Sequence, residues 1–422
     1  MKIKALISNF FKRNIHLFVF ILSYLSLFYS FYQNEDGTGN GASGDFKTTY
    51  AFILALKTDL LANPVELSLV HTPLHFMIMA FLDNFFESTS SLRLFYCSLT
   101  ILLPLYFYLS LNQRQLFNNS QIFYNKNCFL ILSSIIFILP AFRYTSIWAA
   151  DLITSLIFFQ ISIFFYLKWS QNKTKYLDSN VLFQIFFLAF ATYCRQYFAV
   201  FFIYFLFIYY QNLNVKSFIN LFIVCIFTSL PVIYYVYLFP GLITQQHISL
   251  HSLKYFVLGN SSMMSVYLFP LFFINVLFKK ITFDKKLFVS IFFSALIVIF
   301  FSLFFDPEPY WLGGGVMHGL SKALFNNNYL FLFTSFFTFF IFINFIIESK
   351  QNLILLIILL FLFFSFQTYQ RYYEPMLFLI LFTLIKTDMK NIFFKEVKAC
   401  YLLFFYYFIY YLGSVKDIIY KI

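Results

Sequence analysis

Residues 72–86 read TPLHFMIMAFLDNFF, and whether this stretch crosses a membrane sets the direction of every later segment. Fifteen residues make about 22 Å of helix, short of the roughly 30 Å hydrocarbon core of a bilayer. The stretch also carries Asp83 near its end, and an acid at membrane depth is costly. The charges elsewhere in the chain decide the matter. If 72–86 does not cross, 19 of the 29 basic residues fall on the cytoplasmic side; if it does, every later loop inverts and only 12 remain there. The positive-inside bias of membrane proteins favours the first arrangement. Residues 72–86 are therefore expected to be a juxtamembrane helix lying in the outer interface.

The membrane setting follows from composition. Of 422 residues, 61% are hydrophobic and 11% charged, and the mean hydropathy is +0.79. A soluble domain is about half apolar and about a quarter charged, so a chain like this could not cover its surface with polar groups. A cytosolic enzyme, a disordered chain and a nucleic-acid-binding domain are excluded. The formal charge of +12 sits in short loops between apolar runs, so it marks topology and not a polyanionic partner. The 69 phenylalanines carry no functional signal. The five cysteines (Cys97, Cys128, Cys194, Cys225 and Cys400) are scattered and form no CxxC pair, so neither a zinc site nor a disulfide framework is supported.

Apolar runs long enough to be span candidates lie at roughly 15–33, 91–111, 128–142, 147–168, 217–239, 261–278, 287–305, 327–348, 353–368, 373–386 and 400–413. The first follows Lys2, Lys4, Lys12 and Arg13; it is long enough to span and no A-x-A site follows, so an uncleaved first span is expected, not a signal peptide. Residues 181–210 are too long for one crossing and carry Arg195 and Gln196 in the middle. They are expected to form two short helices, 181–193 and 196–210, with Arg195 at the outer surface between them. This gives about thirteen crossings in one integral membrane domain spanning 1–422. Twelve of the 17 acids then lie outside, with the long loops 34–90, 240–260 and 306–326. Loops on a rigid scaffold carry function, so the outer face is the working face.

Candidate residues gather on that face. Asp45 follows a Gly- and Ser-rich stretch at the start of an amphipathic helix expected to run to about Leu61; a plain N-cap is its simplest role. His71 and His75 are i,i+4, which could make a two-ligand metal face, but no third ligand is evident and interfacial histidines are the simpler expectation. Arg93 stands at a span entrance. In FRYTSIWAADLITSLIFF, Arg143 and Asp151 lie at the outer ends of consecutive spans, so Asp151 is either functional or salt-bridged to Arg143. QTYQRYYEPMLFLILF puts Arg371, Tyr372 and Glu374 at an outer turn, where Arg371 could simply pair with Glu374. Gly313, Gly314 and Gly315 are not a P-loop, since no GxxxxGK[ST] surrounds them; they suit a loop that moves over a substrate, flanked by Tyr310 and Trp311.

The run from GDFKTTY through HTPLHFMIMAFLDNFFESTSSLRLFY resembles the start of the polyprenyl-phosphate-sugar-dependent glycosyltransferases of the GT-C superfamily (PMT/ArnT-like, or like the dolichyl-phosphate-glucose glucosyltransferase). Those enzymes have an acid in the first outer loop, a juxtamembrane helix opening with a P-P-L-like motif, and R-L at the next span. Here the motif is Thr72, Pro73, Leu74, with the first proline lost, and the R-L is Arg93, Leu94. FRYTSIWAADLITSLIFF is similar to the family's second outer loop with its Asp, and CRQYFAVFF to its R-Q-T-N-type segment. The resemblance covers roughly residues 15–210, about half the chain.

The resemblance implies an all-α GT-C-like bundle of about thirteen transmembrane helices, with juxtamembrane helices in the first outer loop. It implies transfer of a sugar from a polyprenyl-phosphate-linked donor to a glycan, lipid or protein acceptor, at a bacterial inner (plasma) membrane with the active site facing outward. Asp45 matches the first-loop acid and would be the general base. Asp151 matches the second acid and would orient the acceptor or share a divalent cation; no dedicated metal site is read. Arg195, Arg371 and Lys322 would hold the lipid phosphate, with His71 and Tyr372 completing the substrate-binding set. Two other classes compete. A flippase of lipid-linked sugars would show matched broken helices in both halves, and only 181–210 has that character. A polysaccharide polymerase or ligase of the O-antigen type shares the spans, the late outer loop and the functional arginines but lacks the first-loop acid.

Overall fold

The computed structural model describes residues 2–38, 41–59, 62–63, 66, 71–117, 125–172, 174–240, 250–278, 285–303, 315–363 and 369–415. Of the described residues 84% are helical and none is in a strand. Six described helices are long and apolar enough to cross a membrane: Asn14–Tyr32, Thr89–Arg114, Asp151–Asn172, Val215–Leu238, Val257–Phe278 and Tyr329–Glu348. A bent pair, Lys126–Ile138 and Pro140–Ile147, makes a seventh if counted as one. Further apolar helices, among them Ser179–Cys194 and Asn352–Phe361, have 10–17 residues. This pattern fits a multi-pass membrane protein. Length and apolarity alone do not reach thirteen crossings, because several apolar runs break into short pieces.

The breaks have local causes. Helix α1 (Lys2–Tyr32) ends at Asn34, whose φ is +49°. Helix α2 (Gly41–Thr58) then begins under a cap made by the preceding turn: the Ala42 N–H donates to Thr38 Oγ1 at 2.8 Å and the Ser43 N–H to Asp36 Oδ2 at 2.9 Å. Asp45 is thus the fifth residue of α2, and the N-cap role expected for it belongs to the 36–38 turn. Helix α3 (Leu74–Asp83) opens after Pro73 and has ten residues, too few to cross. This agrees with a non-crossing 72–86.

Helices α4 (Thr89–Leu99) and α5 (Leu102–Phe117) form one span interrupted at Thr100. The next run breaks sharply. Helix α6 (Lys126–Ile138) stops at Leu139, which is extended, and α7 (Pro140–Ile147) restarts at an angle of 62°. Proline has no N–H for the α-helical ladder and biases the residue before it to extended backbone. All eight residues of α7 are buried. Ala149, at φ +48°, reverses the chain into α8 (Asp151–Asn172), the most enclosed of the six long spans, with 72% of its apolar window buried. Helix α9 (Ser179–Cys194) packs along α8 and is capped by Asp178, whose Oδ1 accepts from the Val181 N–H at 3.0 Å. It ends where Arg195 is extended; a short 3-10 turn and α10 (Phe201–Asn212) follow. The two short helices expected around Arg195 are present.

Helix α11 (Val215–Leu238) has only 11% of its apolar window buried and therefore faces outward. The second half contributes α12 (Leu250–Phe278), α13 (Lys285–Ser302), α14 (Gly315–Phe325), α15 (Tyr329–Glu348), α16 (Asn352–Phe361), α17 (Met376–Thr383), α18 (Asn391–Lys395) and α19 (Val397–Ser414). Every residue of α17 is buried. Helices α8 and α17 each carry a candidate site residue at or just before their N-terminal end, so the core itself holds the two halves of the site in place.

Candidate functional site

Six of the seven candidate residues line one cavity of about 310 Å³: Asp45, His71, Asp151, Arg195, Arg371 and Tyr372. They come from five separate chain segments. Lys322 does not join them. It is an exposed residue of α14. Gly313, Gly314, Tyr310 and Trp311 lie outside the described residues. Gly315 is described, with φ +75°, and a Cβ there would stand 2.6 Å from Met263 Cγ and 2.7 Å from Gln370 Oε1; any side chain would be strained and would clash.

The floor of the cavity is a buried ion pair. Arg195 Nε donates to Asp151 Oδ2 at 2.8 Å and Nη2 to Oδ1 at 2.7 Å, the two-point match of guanidinium and carboxylate. Both side chains are less than 10% exposed. The turn at Ala149 aims Asp151 inward. It is fastened by Tyr96, whose hydroxyl donates to Ala150 O at 2.8 Å, and by Trp148 Nε1 donating to Glu35 O at 3.0 Å. The Arg93 guanidinium lies 3.7 Å from the Trp148 ring centroid and donates to Ile147 O at 3.0 Å. Arg93 thus packs the wall of the cavity and does not enter it. From the other side, Thr72 Oγ1 donates to Thr192 O at 2.8 Å, tying the entry of α3 to the end of α9.

His71 Nε2 stands 3.9 Å from Asp151 Oδ2. Burial, and next to it the Arg195 charge, lowers the His71 pKa from 6.5 to about 4, although Asp151 works the other way. The imidazole is therefore neutral at pH 7, and the contact is not an ion pair. His75 is fully buried, with Nδ1 2.8 Å from Thr154 Oγ1. His71 precedes α3 while His75 lies within it, so the two do not share a helical face as their spacing suggested, and His75 is a core residue, not an interfacial one.

Across the cavity, Arg371 Nη1 donates to Asp45 Oδ2 at 3.0 Å. The Asp45 side chain is 62% exposed and that of Arg371 26%, so this pair opens to the cavity mouth. Tyr369 and Tyr372 flank the guanidinium, with ring centroids at 5.2 and 5.8 Å, and Tyr372 stacks on Phe363 at 4.9 Å. The turn that presents Arg371 is anchored by Glu374, which is 1% exposed. Its Oε1 accepts from the Ala141 N–H at 2.7 Å; its Oε2 accepts from the Tyr267 hydroxyl at 2.6 Å and from the Tyr410 hydroxyl at 3.3 Å.

Two pairings suggested by the sequence are thereby corrected. Arg371 bonds Asp45 and not Glu374. Asp151 pairs with Arg195 and not Arg143. Arg143, 1% exposed, pairs with Glu35 at 3.2 Å and donates to Ser26 Oγ at 2.8 Å and to Ser30 Oγ, locking α7 to the end of α1. Sequence reasoning missed Glu35 and Glu374 as anchors; an acid beside a span end looks the same whether it faces substrate or a buried donor. Each cavity carboxylate is matched with a guanidinium, and no group of three His, Cys, Asp or Glu among the described residues is placed to hold a metal ion. No protein-family model, curated protein or solved structure matches the chain.

Proposed function

We propose that the protein is a membrane glycosyltransferase of GT-C type, a bundle of about thirteen crossings that transfers a sugar from a polyprenyl-phosphate-linked donor to an acceptor on the outer face of a bacterial inner membrane. The observation that carries this reading is the convergence of two carboxylates and two guanidiniums on one 310 Å³ cavity. A single-displacement transfer needs these parts. Asp45 takes the proton from the acceptor hydroxyl. The acceptor oxygen then attacks the anomeric carbon, the bond from that carbon to the phosphate oxygen breaks, and the electron pair leaves on the polyprenyl phosphate. The leaving group gains negative charge in the transition state, where fixed cations are most effective. Arg371 and Arg195 supply that charge, held by Asp45 and Asp151 until the phosphate arrives. His71, being neutral, can donate or accept a hydrogen bond to a sugar hydroxyl, and Tyr372 offers a ring face.

The test is an inventory by mass spectrometry of lipid-linked sugars and surface glycans from cells lacking the protein, complemented with the wild type or with Asp45→Asn. The reading expects a polyprenyl-phosphate sugar to accumulate and one glycan to lose a sugar, with rescue by the wild type and not by the Asn variant. Rescue by Asp45→Asn would overturn it and turn attention to lipid-linked sugar transport.

A further inference from the structure

A second polar cavity, of about 550 Å³, lies at the opposite end of the bundle. Helix α17 runs from the turn that carries Arg371 to this end. Four cations border the cavity, Arg114, Lys286, Lys386 and Lys390, against two carboxylates, Glu348 and Asp388. The carboxylates also take local donors: Glu348 Oε2 accepts from the Asp388 N–H at 3.1 Å and Asp388 Oδ1 from Asn391 Nδ2 at 2.9 Å. Arg114 caps the last turn of α17, donating to Phe382 O and Ile385 O at 2.9 Å each, which suits the negative end of a helix. Lys390 is 5% exposed, yet the hydrogen bond of its ammonium goes to a neutral carbonyl, that of Ile385. Burial, and after it the Arg114 charge, pushes the Lys390 ammonium well below the ordinary lysine range. A buried amine held by one carbonyl and set beside other cations gains its charged form when an anion enters.

We infer that this cavity binds a phosphate group, presented by an anionic lipid headgroup or as free phosphate. Even without Lys390, the three cations Arg114, Lys286 and Lys386 outnumber the two acids, and the opening is polar and wide enough for a phosphate with its first waters. The site is independent of the sugar-transfer reading, since no residue of it touches the cavity of Asp45.

Purified full-length protein would be titrated, in phosphatidylcholine–detergent micelles, with phosphatidylglycerol and separately with sodium phosphate against sodium chloride at matched ionic strength, following thermal unfolding. Lys286→Gln and Lys386→Gln remove cavity cations. Lys395→Gln removes an exposed lysine of the neighbouring α18 that does not line the cavity. The expected result is stabilisation of the wild type, with the apparent Kd raised about fivefold for each cavity lysine removed, the weight of one basic residue near an anionic surface, and unchanged in Lys395→Gln. A response to phosphatidylglycerol alone assigns the phosphate to a lipid, and an equal response to sodium phosphate assigns it to the free ion. No response to either probe, or an equal loss in Lys395→Gln, overturns the site.

Discussion

Arg371 and Asp45 stand 326 positions apart in the chain and meet at 3.0 Å across the mouth of the cavity. The pair joins the first helix after the N-terminal span to the turn before α17. Because it is largely exposed, its own contribution to stability is small, about 0–1 kcal/mol. Its interest lies in what each partner does while paired. The Asp45 carboxylate holds the Arg371 guanidinium at the cavity, the place the proposed reaction needs it. In the proposed reaction an arriving phosphate would compete for Arg371 and leave Asp45 free to accept a proton. Under that proposal, donor binding and release of the base would be coupled through this one hydrogen bond.

Asp45→Asn tests the base. The amide keeps the shape of the side chain and an oxygen for Arg371 but cannot take a proton. Transfer should fall by about 10²–10⁴-fold, the usual share of general-base catalysis, with unfolding temperature and donor binding little changed. Turnover above about a tenth of wild type, well outside that range, would reject Asp45 as the base.

Arg371 tests the cation. Arg371→Ala should raise the donor KM or abolish transfer while lowering stability by no more than the 0–1 kcal/mol typical of an exposed pair. Arg371→Lys should recover only part of the activity, because an ammonium lacks the planar two-point fork. A variant that loses several kcal/mol of stability but keeps the wild-type donor KM would make Arg371 a structural clasp.

Much of this site is legible in the sequence, and the limits are instructive. Asp45, Asp151, Arg195, Arg371, His71 and Tyr372 stand out because polar residues interrupt or border apolar runs, where each needs a reason to be present. The break at Arg195 follows from segment length. Pairing is what the sequence does not encode at short range. Arg143 is eight residues from Asp151 and Arg371 three from Glu374, and proximity suggested those partners. The bend at Pro140 instead turns Arg143 toward Glu35, and three donors from distant helices hold Glu374 away from Arg371. Lys322 resembled Arg371 as an outer-loop cation, but a basic residue in a loop carries no mark of which cavity it reaches. The crossing count is obscured for a related reason: broken helices are stabilised by neighbours, not by their own length.

Membrane orientation is open to direct labelling. The five cysteines are buried or half-buried, so background reaction should be low. Gly44 lies in α2 with open space where a Cβ would go, and Lys395 is exposed on α18. In intact cells an impermeant maleimide should label Gly44→Cys, and should label Lys395→Cys only after the membrane is permeabilised. The reverse pattern would place the cavity of Asp45 on the cytoplasmic side.

Acid sensitivity should trace in part to His71. Its pKa is lowered by burial first and then by Arg195, from 6.5 to about 4, so between those values the unfolded chain binds more protons than the folded one. Folding stability then rises with pH across that window. It is complete above pH 6.5 and is lost as the pH falls toward 4. His75 is shifted the same way, to about 4, by burial. Unfolding temperatures measured from pH 7.5 down to pH 5 should fall less steeply in His71→Asn than in the wild type, with His75 accounting for part of the remaining slope. Equal slopes in the two proteins would mean that His71 takes up its proton as readily folded as unfolded, so that burial does not lower its pKa.

The buried pair at the cavity floor makes a different demand. Removing one partner of a buried ion pair leaves an uncompensated charge and costs about 3–5 kcal/mol, whereas replacing both by neutral groups of similar size is often close to neutral. Asp151→Asn and Arg195→Met should each lower the unfolding temperature markedly, since both side chains are less than 10% exposed. The double variant Asp151→Asn, Arg195→Met should recover most of that loss. Transfer should not return with it, because the cation that faces the donor phosphate is gone. Stability and activity would thus separate in the double variant, which a purely architectural pair cannot produce. Recovery of both would confine Asp151 and Arg195 to holding α8 against α9, and recovery of neither would show that their coupling is not the source of the single-variant losses.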